Sequence, residues 1–371
     1  MPLIGAGLRG LVRSGWCAGY GALNALGLYR CSALPVAYVT ESANWSVQWD
    51  ARSYVGGIEA RHPGTVAVSQ RPQSLIGRVV HFGSQFHWGQ WSGALPTSNR
   101  TVVTYYHGKP ADSPEMTRHV DHFLANLKRL TRVVTASRSV ERRLLDWGVP
   151  RPLLARVPLG VDTSIFRPPS ADRRHAARTK WGVPAGALCI GSFQKDGVGW
   201  GQGLEPKLIK GPDTFVNAVA RLARDFPVFV LLTGPARGYV IKGLQSHGIP
   251  FRHVFFDDYR DIVGCYHALD LYLMTSREEG GPKALLESMA TGVPLVATRT
   301  GMAEDVVEDG VNGHLVPVDD VEAIVARAAS LLSDADRAKD FGARGLGTAE
   351  AYDWAIVSEV LYDTVYRELV T

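Results

Sequence analysis

In the stretch "REEGGPKALLESMATGVPLVAT", residues 277–298, Glu279 and Glu287 stand with seven residues between them, and Gly280, Gly281 and Pro282 follow the first directly. Glycines in such a turn let backbone N–H groups come close to a ligand. A helix starting at Pro282 or Lys283 would add unpaired N–H donors and a partial positive charge in its first turn. Together these suit a phosphate or diphosphate, although a glycine pair before a helix is by itself more often a plain turn. At about 100° per residue, Leu285, Leu286 and Met289 share one side of that helix, and Glu287 points nearly opposite with Lys283 and Ala290. One reading is a solvated Lys283–Glu287 pair at i,i+4. The other is a carboxylate that accepts both hydroxyls of a ribose whose phosphates lie on the helix N-terminus, the use dinucleotide-binding folds make of an acid.

Elements able to position these residues recur along the chain. "LPVAYVT" (34–40), "TVAVS" (65–69), "GRVVHFGS" (77–84), "RTVVTYYHG" (100–108) and "TRVVTAS" (131–137) read as strands, rich in β-branched and aromatic residues between Gly, Pro or Ser. A second series follows at 187–193, 228–234, 253–258, 269–276, 294–300 and 313–318. Helical stretches at 114–130, 139–149, 211–226 and 284–292 alternate with them. Near-continuous apolar strands imply parallel sheets buried on both faces. The 371 residues exceed one ordinary domain, and the Pro-rich, then charged stretch 167–180 is a natural boundary. The expectation is α/β: two Rossmann-like doubly wound domains facing a deep cleft, with ligands at the carboxyl ends of strands.

Composition narrows the partners. Net charge is +4, with Lys and Arg spread along the chain, which does not suggest a nucleic-acid binder. Cys17, Cys31, Cys189 and Cys265 show no metal spacing, and a reducing cytoplasm is the expected compartment. The sequons at Asn44 and Asn99 carry little weight without secretion. Residues 1–32 are apolar but broken by Arg9 and Arg13, too interrupted for a membrane span. They are expected to form a helix at the domain surface or in peripheral contact with a membrane.

The segment "EEGGPKALLESMATGVPLVATRTGMAEDVVEDGVNGHLVP" resembles the signature region of family 4 of the retaining nucleotide-sugar glycosyltransferases, whose architecture is called GT-B. The E-x7-E spacing, the "GMAED" loop and the "DGVNGHLV" turn occur in the family's order. "VPLGVDTSIFRP" (157–168), "YHG" (106–108), "IKGPDTFVNAVARL" (209–222) and "YDWAIVSEVLYDTVYREL" (352–369) resemble further family segments. The resemblance implies an acceptor-binding domain over 1–168, a nucleotide-sugar domain over 169–350, and a C-terminal helix, 351–371, packing back on the first. It assigns the donor sugar to Glu279 and the nucleotide ribose to Glu287. The diphosphate would lie on the backbone of Gly281, Pro282, Lys283 and Ala284, with Lys210 neutralising it as it leaves. Gly191 would let the nucleotide pass close to the chain, and His107 would line the sugar pocket.

One departure stands out: Ser192 follows Gly191 where an arginine is common in the family. Lys195 is then a candidate for the second cation, beside a longer loop than usual. "GGIE" (56–59) mimics the family's Gly-rich donor loop, but "ARHPG" follows at once, so it reads as the end of a helix. The implied function is an α-retaining transferase moving a sugar from a UDP- or GDP-sugar to a glycan, lipid-linked or small-molecule hydroxyl, without metal or other cofactor. A sugar-nucleotide epimerase, a phosphorylase with bound pyridoxal phosphate, and a non-catalytic sugar-nucleotide or glycan-binding protein are the competing readings. The aromatic segments 42–54 and 83–91 could serve an acceptor or the core.

Overall fold

A computed structural model describes residues 6–41 and 46–370; Asn44 and the start of the 42–54 segment lie outside the described residues. The chain divides into two compact units, 1–159 with 354–371, and 160–353.

The first unit holds a six-stranded parallel sheet. Its strands are β1 (Val36–Val39), β2 (Val66–Ser69), β3 (Val79–Phe82), β4 (Arg100–Thr104), β5 (Arg132–Thr135) and β6 (Leu154–Arg156), in the order β2-β1-β3-β4-β5-β6. Central β1 and β3 are buried along their whole length, which is why their sequences are apolar runs with no alternation. The short β6 has too little apolar sequence to announce itself.

The second unit repeats the plan. Its strands are β7 (Leu188–Phe193), β8 (Val228–Thr233), β9 (Phe251–Val254), β10 (Leu271–Met274), β11 (Leu295–Thr298) and β12 (His314–Val316), in the order β12-β11-β10-β7-β8-β9. The order reverses between β7 and β10. In open α/β sheets the crevice beyond the carboxyl ends of such a strand pair is where ligands bind. Strand β9 begins two residues before the expected 253. Phe255 is exposed, and Asp258 caps the turn that follows by accepting from Arg260 N at 2.9 Å.

The division falls at 159/160 and 353/354, not at 168/169 and 350/351. Val161 N donates to Tyr352 O at 2.9 Å, and Thr163 Oγ1 to Asp353 at 2.6 Å, so both edges of the second unit are sewn together. In the first unit the helix Trp354–Leu361 lies against the helix Ser46–Arg61, with Tyr54 edge-on to Trp354 at 4.9 Å and His62 Nε2 3.0 Å from Glu359. Gly56 and Gly57 therefore sit in the last two turns of a helix. A Cβ on Gly57 would lie 2.3 Å from Ser358 Oγ, so this glycine admits the neighbouring helix. The helix stops at Arg61, and Glu59 accepts the N–H groups of Gly64, Thr65 and Val66 beyond it.

Asn99 is absorbed structurally, accepting from Arg78 N and donating to Leu75 O. In the 83–91 segment Trp88 and Trp91 are buried in the core. All four cysteines are free, and burial pushes the Cys189 thiol up to about 12. Among the described residues no helix is long and apolar enough to cross a membrane.

Candidate active site

Strand β10 ends at Met274, and Thr275 and Ser276, which follow it, build the site. Gly211 sits at φ +61, where a Cβ would lie 1.9 Å from Thr275 O. Only glycine lets the chain turn there. Thr275 Oγ1 donates to Gly211 O at 2.9 Å, fixing the turn against the strand end. The preceding Lys210 is thereby aimed at the residues after β10, and its Nζ lies 2.6 Å from Glu279 Oε1. Ser276 Oγ donates to the same oxygen at 2.8 Å. The two residues singled out in sequence, 69 positions apart, form one charged pair that is largely buried.

Lys207 joins them. Burial, with Lys210 and Lys195 nearby, lowers its pKa to about 8 despite the opposing pull of Glu279. Burial lowers Lys195 as well, and its Nζ stands 4.3 Å over the Trp200 ring. Lys210 and Lys207 thus share one carboxylate, with Lys195 close to Lys207, leaving an excess of positive charge suited to an anion. Lys207 was not singled out in sequence, where "EPKLIKG" offers two lysines and no reason to choose both.

The helix Lys283–Ala290 begins beside this cluster, with Pro282 at its N-cap, no side-chain cap and no acidic residue in its first turn. Its N–H donors are not claimed by a capping side chain. Gly281, Pro282, Lys283 and Ala284 are all partly exposed there, and Lys283 Nζ rests 4.8 Å over the Tyr259 ring. From Leu285 to Ala290 every residue is buried. Glu287 is therefore not on a solvated face: it is 3% exposed, and its Oε2 accepts from Tyr266 Oη at 2.8 Å. Burial holds the Tyr266 phenol well above its ordinary pKa, so it stays a donor. No local pattern in the sequence marks Tyr266 as this partner.

Two of the residues expected at the donor have internal neighbours. The open side of Gly191 is turned to Leu269, whose Cδ1 lies 2.3 Å from where a Cβ would be. Ser192 is buried, its carbonyl and Oγ accepting from the Arg237 guanidinium at 2.6 and 3.1 Å; its hydrogen bonding is internal. Arg237 is itself enclosed and lies 2.9 Å from Asp196 Oδ1, an ion pair by distance although the N–H does not point squarely at the oxygen. Burial raises Asp196 above the usual carboxylate range, against the pull of Arg237. His107 belongs to the first unit, three residues past β4, and its carbonyl accepts from Gln85 Nε2 at 2.9 Å.

Comparison with known proteins fits this arrangement. Residues 204–347 match the family described as Glycosyl transferases group 1. The chain is 26% identical over 343 residues to D-inositol 3-phosphate glycosyltransferase of Kineococcus radiotolerans, covering 84% of this chain and 74% of that one. It is 30% identical over 199 residues to the lipopolysaccharide core biosynthesis mannosyltransferase LpsB of Rhizobium meliloti, covering 50% and 53%. It spans only about half the length of several further D-inositol 3-phosphate glycosyltransferases. Among solved structures, Anabaena Alr3699/HepE, in complex with UDP and glucose, superposes with a TM-score of 0.73 at 16% identity, over 90% of this chain and 100% of that one. The sucrose-phosphate synthase of Thermosynechococcus elongatus gives 0.72 at 18%, over 91% and 99%. The segment holding Lys207, Lys210, Glu279 and Glu287 thus matches the group 1 glycosyltransferases, and the chain has the GT-B fold.

Proposed function

We propose that this protein is a retaining transferase that moves a hexose from a nucleoside diphosphate sugar, UDP- or GDP-linked, to an acceptor hydroxyl. The observation that carries the reading is the Lys210–Glu279 pair beside the uncapped N-terminus of the Lys283–Ala290 helix. In this reading the diphosphate lies on the backbone of Gly281 to Ala284, the sugar hydroxyls bond to Glu279, and the ribose to Glu287, whose carboxylate Tyr266 orients. The family resemblance assigns His107 to the sugar. As the acceptor oxygen bonds to the anomeric carbon, the bond from that carbon to the phosphate oxygen breaks. The acceptor proton passes to the leaving phosphate on the same face, which retains configuration. Negative charge grows on the diphosphate, and Lys210, Lys207 and the helix N-terminus are already oriented to receive it. The acceptor class, whether glycan, lipid-linked or small molecule, is left to experiment.

Thermal-shift binding with UDP, GDP, ADP and their glucose and mannose conjugates, without added metal, tests the donor. The Anabaena structures hold UDP, glucose and UDP-glucose, which makes UDP-glucose the first choice. Wild type should shift with one nucleotide, and Glu287→Ala should lose about 1.5–3 kcal/mol of that binding, the worth of hydrogen bonds to a charged group. No shift with any nucleotide, in folded protein, would leave the glycan-binding reading standing.

Lys207 gives the binding a pH signature. With a pKa of about 8 in the free protein, it loses its charge as pH rises through that value. A bound diphosphate favours the charged form and raises the pKa again. Nucleotide affinity should therefore fall above about pH 8, and binding there should take up a proton. Calorimetry at pH 8.5 in two buffers of different ionisation enthalpy reads this directly. Equal heats in both buffers would exclude it.

A further inference from the structure

The basic residues are spread along the chain, but the acidic ones are not. Residues 1–111 hold nine Lys and Arg against three Asp and Glu, while the remaining 260 hold 31 against 33. Of the three acids, Asp50 is buried and Glu59 is spent on backbone N–H groups. The first helix, Ala6–Ala25, lies in this positive region.

That helix is held by one face only. Arg13 donates to Gln90 O and Oε1 at 3.0 and 2.9 Å and covers the Trp91 ring at 5.2 Å. Cys17 enters the core, and Tyr20 packs edge-on to Tyr29 at 5.0 Å. The outward face carries large apolar groups in solvent: Leu11 is 70% exposed and Trp16 53%, with Val12 and Leu23 beside them. Leu26 and Leu28, just past the helix, are 71% and 75% exposed. Between these residues lie Gly15, Gly19 and Ala22, so no charge interrupts the patch. Tyr29 Oη donates to Ser74 O at 2.8 Å, which brings exposed Arg30 and Arg71 to the same edge, and exposed Arg9 flanks the other side.

We propose that this helix is a monotopic docking surface for an anionic phospholipid bilayer. It lies in the interface plane with Leu11, Val12 and Leu23 among the acyl chains, Trp16 at the boundary with the headgroups, and Arg9, Arg30 and Arg71 at the headgroups. Apolar side chains that stay in water cost free energy unless something covers them, and a tryptophan prefers the headgroup level. The arginine rim and the scarcity of acids in residues 1–111 select a negatively charged surface over a neutral membrane. The helix is about 30 Å long at 1.5 Å per residue, but its buried face is committed to the unit, so it lies on a membrane and does not cross one.

The test is co-sedimentation of the whole chain with vesicles of phosphatidylcholine alone and with about 30% phosphatidylglycerol, in low salt and in about 0.5 M salt. Wild type should sediment with the anionic vesicles only, and less in high salt. L11S/W16S should weaken that binding at least about tenfold through lost apolar burial. R30E/R71E should weaken it at least about tenfold through reversed charge. Both variants change exposed side chains, and an unchanged melting temperature and nucleotide shift would show that they are folded. If L11S/W16S melts lower, R30E/R71E carries the test. Equal binding to neutral vesicles, or undiminished binding by the folded variants, would overturn the proposal. So would a dimer in solution that L11S/W16S dissolves while wild type ignores vesicles, since a second copy would then cover the patch.

Discussion

Lys210→Met is expected to lower kcat about 10²–10³-fold, the usual loss when one preorganised charge donor is removed from a developing anion. In the proposed function the donor diphosphate is charged before the bond breaks, and Lys207 and the helix N-terminus would still attend it in the variant. The larger loss therefore falls on the extra charge that appears in the transition state, in kcat more than in KM. A second effect works in the same direction. Glu279 keeps its bond from Ser276 but loses the ammonium 2.6 Å away, and a carboxylate so enclosed is held in place poorly without its counter-charge. Lys210→Arg should fall between, because a guanidinium restores charge but not the compact geometry of the ammonium. Steady-state nucleotide release with saturating donor and acceptor, beside melting curves for each variant, measures this. A loss below about tenfold in folded Lys210→Met would remove the lysine from the proposed chemistry.

Arg237→Ala is expected to cost about 3–5 kcal/mol of stability, the range for breaking a buried ion pair from one side. Arg237 and Asp196 are both 0% exposed, and the guanidinium also bonds to the carbonyls of Ser192 and Thr233. Removing it strands the Asp196 carboxylate and two carbonyl acceptors in the interior. Asp196 already sits above its ordinary pKa because of burial, and losing the cation raises it further. Folding of the variant must then protonate Asp196 or bury its charge. That cost is full at neutral pH and shrinks as pH falls toward the unfolded carboxylate value. Urea unfolding at pH 7 and pH 5 should show a smaller deficit at the lower pH. A deficit that is small, or equal at both, would mean that the pair is not the enclosed one described. Since Asp196 opens the loop leading to Lys207, donor binding should weaken along with stability.

The sequence carried the fold and half of the site because both rest on local signals. Apolar strands with no alternation at regular spacing can only be parallel and buried, and two such arrays require two sheets. Gly-Gly before a helix, Lys-Gly before another, and two carboxylates a fixed distance apart are backbone requirements written in consecutive residues. Gly211 illustrates this: its turn against Thr275 admits no other residue, so the Lys-Gly pair was visible. What only the tertiary structure decided were pairings between distant strands. The reversal of strand order that sets β7 beside β10 gathers Lys207 and Lys210 around Glu279, with Lys195 close to Lys207, and lowers Lys207. It also gives Glu287 its tyrosine and rules out the solvated pair that the helical wheel had left open. It set Gly191 against Leu269 and gave Ser192 to Arg237, an arginine 45 positions away. Burial and electrostatic neighbourhood are properties of the assembled sheet, and a residue's own neighbours in the chain do not contain them.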